Sequence, residues 1–99
     1  VYVSGQVPVD PETGEIVEGG IEEQAQQTLE NIEAILEAAG SSIDDVLKVT
    51  VFLTDVDDFA DFNAVYADFM GEPEPARSAI GVADLAIDID VEIEAIAAL

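Results

Sequence analysis

Two periods of hydrophobic and polar residues run along this chain. From Gly20 to Ala39 the apolar positions Ile21, Ala25, Leu29, Ile32, Ile35, Leu36 and Ala39 recur at helical spacing, with Glu and Gln opposite. Glu22 and Glu23 fall in the first turn, where the helix dipole favours anions, and Gly40 follows where helices commonly end. A second stripe, Phe59, Phe62, Val65, Tyr66 and Phe69 in "DVDDFADFNAVYADFM", predicts another helix, capped by Asp55 or Asp57. Aromatics at this spacing read as core rather than as a ligand box.

Elsewhere the period is two. "VLKVTVFLT" predicts a strand that is apolar on both faces, with Leu47, Val49, Val51 and Leu53 on one and Val46, Lys48, Thr50, Phe52 and Thr54 on the other. "VYVSGQVPV" predicts an irregular or edge strand because of Gly5 and Pro8. "DPETGE" is a turn, after which "EIV" pairs back as a short strand. "ARSAIGVA" and "IDVEIEAIAAL" supply the last two strands. The predicted order is β, β, α, β, α, β, β over a single domain, residues 1–99. The fold class is an α+β sandwich, a mixed sheet with two helices on one face. The face those helices leave bare calls for another subunit or a closed barrel.

The hydrophobic share of 49% and mean hydropathy of +0.29 supply a core and exclude a disordered acidic tail. Against that core stands a net charge of −21, from 23 carboxylates and two cations, Lys48 and Arg77. Such a chain repels itself at ordinary salt, whereas at about 1 M salt the screening length falls to roughly 3 Å. The composition therefore predicts a halophilic protein of a salt-rich cytoplasm. It also argues against nucleic-acid partners, whose affinity comes mostly from Lys and Arg on phosphates. With no Cys there is no disulfide, thiolate or Cys zinc site, and with no His the usual general base and most transition-metal sites are excluded. No apolar run approaches the ~18 residues of a membrane span, and no signal peptide is visible. The start at Val1 rather than Met is consistent with loss of an upstream piece.

Few residues are left to carry chemistry. Arg77, in "EPEPARSAIGV", offers a planar fork matched to a carboxylate; it is a receptor for a small anionic substrate or one arm of a structural salt bridge. Lys48 is a Schiff-base nucleophile only if its pKa is depressed, and abundant acids favour a structural ion pair instead. Asp88, Asp90, Glu92 and Glu94 project from one strand face, opposite Val91, Ile93 and Ala95, and most of that row reads as solvated. Glu92 or Glu94, nearest the buried end, is placed to orient or deprotonate a water. "DVDDFADFN" lacks the glycine and terminal glutamate of a calcium loop.

In order and spacing, "VSGQVPVDPETGEIV", "QAQQTLENIEAILEAAG", "VLKVTVFLTDVDDFADFNAVYADFM", "PARSAIGVADL" and "VEIEAIA" resemble the RidA (YjgF-like, L-PSP) family of reactive-intermediate deaminases over essentially the whole chain. The resemblance implies a chorismate-mutase-like fold and a homotrimer whose sheets form a central barrel, with clefts between subunits. It implies hydrolysis of 2-iminopropanoate and 2-iminobutanoate to 2-keto acids and ammonia, without cofactor or metal. Carried over, Arg77 clamps the substrate carboxylate and Glu92 positions the attacking water. Ser4 and Gly5 line the pocket, Asn63 contributes from the helix side, and the backbone of Ala79, where the family often has cysteine, contacts the imine nitrogen. The family's usual segment before "VYVSGQ", with a pocket tyrosine and a first strand, has no counterpart here, so a shortened site is expected. Glu74, where an aromatic is common, is expected to repel the substrate carboxylate or pair with Arg77. A non-catalytic metabolite-binding trimer is the alternative, and the endoribonuclease activity attributed to part of the family is the least compatible with two cations and no histidine.

Overall fold

The computed structural model describes residues 1–99. Its elements follow the order β1 (Tyr2–Gln6), α1 (Ile21–Ala38), β2 (Val46–Leu53), α2 (Phe59–Met70), β3 (Ala76–Gly81) and β4 (Val91–Ala97), with single 3-10 turns at Ile43–Asp45 and Val56–Asp58. The strands form one sheet in the order β1-β4-β2-β3. β3 lies parallel to β2, while β4 runs antiparallel to both β1 and β2, so the sheet is mixed. Both helices cover one face and build a core with it, as the two periods predict.

The α1 stripe is buried at Ile21, Ala25, Leu29, Ile32 and Leu36, but Ile35 and Ala39 are exposed and the apolar face is narrower than expected. Glu23 Oε1 accepts from the Gly20 N–H at 2.9 Å, which satisfies a donor at the helix start. Gly40 follows the helix at φ +85°, a conformation glycine adopts without strain. In α2, Phe62 and Tyr66 are fully buried, with Phe59, Val65 and Phe69 packed at the margin of the core. Asp55 caps the 3-10 turn that precedes α2 rather than α2 itself, accepting from the Asp57 N–H at 2.9 Å.

Three strand expectations change. "EIV" is no strand: a single bridge, Val9 to Ile16, closes the turn, with Asp10 N–H donating to Glu15 O. In β2 the pairing slips between Val46 and Lys48, so Val46 takes the buried place predicted for Leu47, which is left 59% exposed. An extra residue in one strand shifts its side chains to the other face. Lastly, Asp90 precedes β4 and turns toward α1, where its Oδ2 accepts from Gln24 Nε2 at 3.0 Å and its N–H donates to Gln24 Oε1 at 2.8 Å. Asp90 is therefore a helix-docking residue and not part of the solvated row. No helix is long and apolar enough to cross a membrane.

Candidate functional site

The residues singled out above fall into two groups on opposite faces of the sheet. β3 is an edge strand paired in register with β2, which sets Arg77 beside Val49 and Ala79 beside Val51. Val49 and Val51 face the helices, so Arg77 and Ala79 face them too. Glu92 pairs with Phe52, three residues along β2 from Val49 and thus on the opposite, uncovered face.

On the helix side, α2 forms the bed for Arg77. Phe59, Asn63 and Tyr66 recur at i, i+4 and i+7 and share one helix face. The Arg77 guanidinium carbon lies 4.6 Å from the Tyr66 ring centre and 5.2 Å from that of Phe59. Its Nη1 donates to Asn63 Oδ1 at 2.7 Å. Two rings and an amide thus hold the fork, each ring contact contributing about 0.5–2 kcal/mol. The hydrogen-bond partner is a neutral amide, not one of the 23 carboxylates, so the salt-bridge alternative is not what holds this side chain. One of the fork's five N–H donors is bonded to Asn63, and an incoming carboxylate has others to bind in bidentate fashion.

Tyr66 is part of this arrangement in a second way. Its hydroxyl is buried with no hydrogen-bond partner. Burial pushes the phenol pKa above its ordinary value; the Arg77 charge opposes that shift and Glu74 adds to it. Periodicity identified Phe59 and Tyr66 as core residues but missed their contact with Arg77. The i, i+4, i+7 spacing with Asn63 was visible, whereas the strand laid across it was not.

On the open face, Glu92 stands over Gly5. The ladder between β1 and β4 shifts between Val3 and Gln6, which brings this backbone under the Glu92 carboxylate. A Cβ at Gly5 would overlap Glu92 Oε2, so glycine is needed for the close approach. Ser4 lines a cavity of about 400 Å³ on the same face, together with Tyr2, Lys48, Thr50, Glu94 and Ile96. Lys48 Nζ donates to Ser78 Oγ at 2.8 Å, so its hydrogen-bond partner is a hydroxyl and not the expected acid. Glu92 and Glu94 share this face, but Glu92 is the one seated against Gly5.

Arg77, Asn63 and Ala79 thus stand together, as do Ser4, Gly5 and Glu92, and the sheet separates the two groups within one chain. A family model described as Endoribonuclease L-PSP matches residues 1–99, the full extent of both groups. The chain belongs to this family. Among its relatives in the family, a RutC family protein of Pyrococcus horikoshii is 58% identical over 97 residues, covering 98% of this chain and 77% of the relative. The 2-iminobutanoate/2-iminopropanoate deaminase of Salmonella typhimurium is 51% identical over 100 residues, covering 98% and 77%. The crystal structure of RidA from an Antarctic Psychrobacter species is 51% identical with a TM-score of 0.95, over 99% of this chain and 79% of that one.

Proposed function

We propose that this protein hydrolyses small 2-imino acids, such as 2-iminopropanoate and 2-iminobutanoate, to 2-keto acids and ammonia. The observation that carries the reading is Arg77: a half-buried guanidinium clamped by Phe59, Tyr66 and Asn63, with donors beyond the Asn63 bond to receive a carboxylate. The 51% identity to a deaminase of that specificity supports the same class of chemistry.

In the homotrimer of this reading the two groups play complementary parts, and their separation by the sheet within one chain supports it. The Arg77, Asn63 and Ala79 group of one subunit meets the Ser4, Gly5 and Glu92 group of the next. Arg77 binds the substrate carboxylate, and the Ala79 backbone contacts the imine nitrogen. Glu92 orients a water, accepting a proton as the water oxygen bonds to the imine carbon. Glu92 passes that proton to the imine nitrogen to give an amino alcohol. It then takes the hydroxyl proton as the carbonyl forms and delivers it to nitrogen as the C–N bond breaks, and ammonia leaves. The family description also names an endoribonuclease. A net charge of −21, with the two cations on opposite sheet faces, weighs against RNA as the substrate.

The test is ammonia and 2-keto acid release from freshly generated 2-iminobutanoate in about 1 M potassium chloride. Arg77→Ala and Glu92→Gln are each expected to lose at least about 100-fold in rate. Co-assembly of these two variants is expected to restore part of the activity, because some interfaces then carry both intact groups. Full activity in Arg77→Ala overturns the proposal. A folded wild-type trimer that binds 2-keto acids without accelerating hydrolysis establishes the metabolite-binding alternative.

A further inference from the structure

The Arg77 group opens onto a second feature that the reaction above does not use. Beyond Ala79, at the C-terminal end of β3, lies a cavity of about 250 Å³ lined by Leu53, Val56, Phe59, Ala79, Ile80 and Gly81. Five of these six residues are hydrophobic and the sixth is glycine. Phe59 is shared: its ring flanks the Arg77 guanidinium at 5.2 Å and also forms part of the cavity wall. Ala79 follows Arg77 by two residues on the same face, so the cavity begins about 6–7 Å further along the strand. At Gly81 a Cβ would stand 2.5 Å from Val56 Cγ1, so glycine leaves this end of the cavity unfilled.

We infer that this cavity receives the side chain of a 2-imino or 2-keto acid whose carboxylate is held by Arg77, and that it selects unbranched and branched aliphatic side chains of about three to four carbons. The inference rests on the reading of Arg77 as the carboxylate receptor and adds the substrate class. A volume below the ~300 Å³ typical of sites that enclose a whole drug-sized ligand suits one arm of a small molecule. An apolar lining gains from each methylene it removes from water, about fourfold in affinity per group. It offers no partner to a polar or acidic side chain, and the chain's charge of −21 disfavours a second carboxylate anywhere near it. Ala79 fixes the width at the mouth, because a larger residue there would stand between the guanidinium and the cavity.

The experiment compares kcat/KM for imines of three to six carbons, and in parallel the Kd of the corresponding 2-keto acids by calorimetry, for wild type and Val56→Phe. Val56 is 62% exposed and is not a core residue, so a bulkier ring there takes up cavity space from the solvent side. In wild type, kcat/KM is expected to rise about fourfold per added methylene up to six carbons, with Kd falling in step. In Val56→Phe the chain-length gain is expected to disappear. A wild-type profile that is flat with chain length, or a gain that survives Val56→Phe, overturns the inference while leaving the deaminase reading intact. Chain-length-dependent keto acid binding without turnover, lost in Val56→Phe, upholds the cavity and overturns the deaminase reading instead.

Discussion

Single atoms at three positions separate function from stability. Tyr66 contributes a ring that supports Arg77 and a hydroxyl that is buried without a partner. Tyr66→Phe keeps the ring and removes the unsatisfied group, so stability is expected to rise by about 1 kcal/mol with KM unchanged. Tyr66→Leu removes the ring, and an increase in KM at near-constant kcat would mark the loosened fork. Gly5→Ala is the mirror test on the open face. Its Cβ displaces only the flexible end of Glu92, so melting should change little while kcat falls toward that of Glu92→Gln. At Asp58, burial and then the neighbouring charges of Asp55, Asp90, Asp61 and Asp57 raise the carboxyl pKa. The folded state therefore holds this proton more tightly than the unfolded chain, and its stability declines as pH rises through the raised value. Asp58→Asn is expected to raise Tm at pH 7 and to give no advantage below the ordinary value of 3.8. Paired thermal melts across that range measure it.

Among the elements, α2 carries the greatest burden. One of its faces holds Phe62 in the core, while the adjoining Phe59, Asn63 and Tyr66 face holds Arg77. Phe62 packs against both rings, at 6.4 Å from Phe59 and 5.7 Å from Tyr66. Phe62→Ala is expected to cost about 3–5 kcal/mol, a large part of the ~5–15 kcal/mol that holds a domain together. Chemical denaturation reads that loss directly, and the Arg77 bed should loosen with it. The β2 slip shows why element-level patterning has limits. Alternation is strict only while every residue pairs, and the extra residue near Leu47 exchanges the faces of the strand's first positions. The same sheet pairing decides the site. Arg77 stands over α2 because β3 runs parallel to β2 in one register, and a shift by one would turn it to the open face.

For the whole molecule, the strongest influence is the charge of −21 spread over an accessible surface of 5474 Å². Both cations spend their side-chain hydrogen bonds on neutral oxygens, Arg77 on Asn63 and Lys48 on Ser78. Repulsion among carboxylates therefore opposes both compaction and the proposed association of subunits. Tm and the fraction in the proposed homotrimer are expected to rise with potassium chloride toward about 1 M, where screening reaches roughly 3 Å. Glu37→Lys with Asp68→Lys is expected to shift both transitions to lower salt. Each replaces an exposed acid in the last turn of a helix with the charge that its dipole favours. Scanning calorimetry and sedimentation across a salt series follow the two effects. A salt-independent Tm would show that the surface charge is compensated in some other way.

Much of the architecture was legible from local spacing alone. The α1 and α2 stripes, the double-faced β2 and the turn glycines are short-range patterns, because a helix or strand buries a face that its own period defines. The scarcity of cations likewise marked Arg77 as a residue to explain, and the family resemblance marked Glu92 beside it. What periodicity did not contain was which distant elements meet. The "EIV" segment lacked a neighbour and closed only one bridge, Asp90 docked on Gln24 of α1, and Lys48 found Ser78 across a parallel pair. The aromatic bed of Arg77, the seat of Glu92 over Gly5, and the sheet between them are all consequences of strand order and register. Spacing along a chain records which face a residue takes within its element; only the folded sheet decides what that face is turned toward.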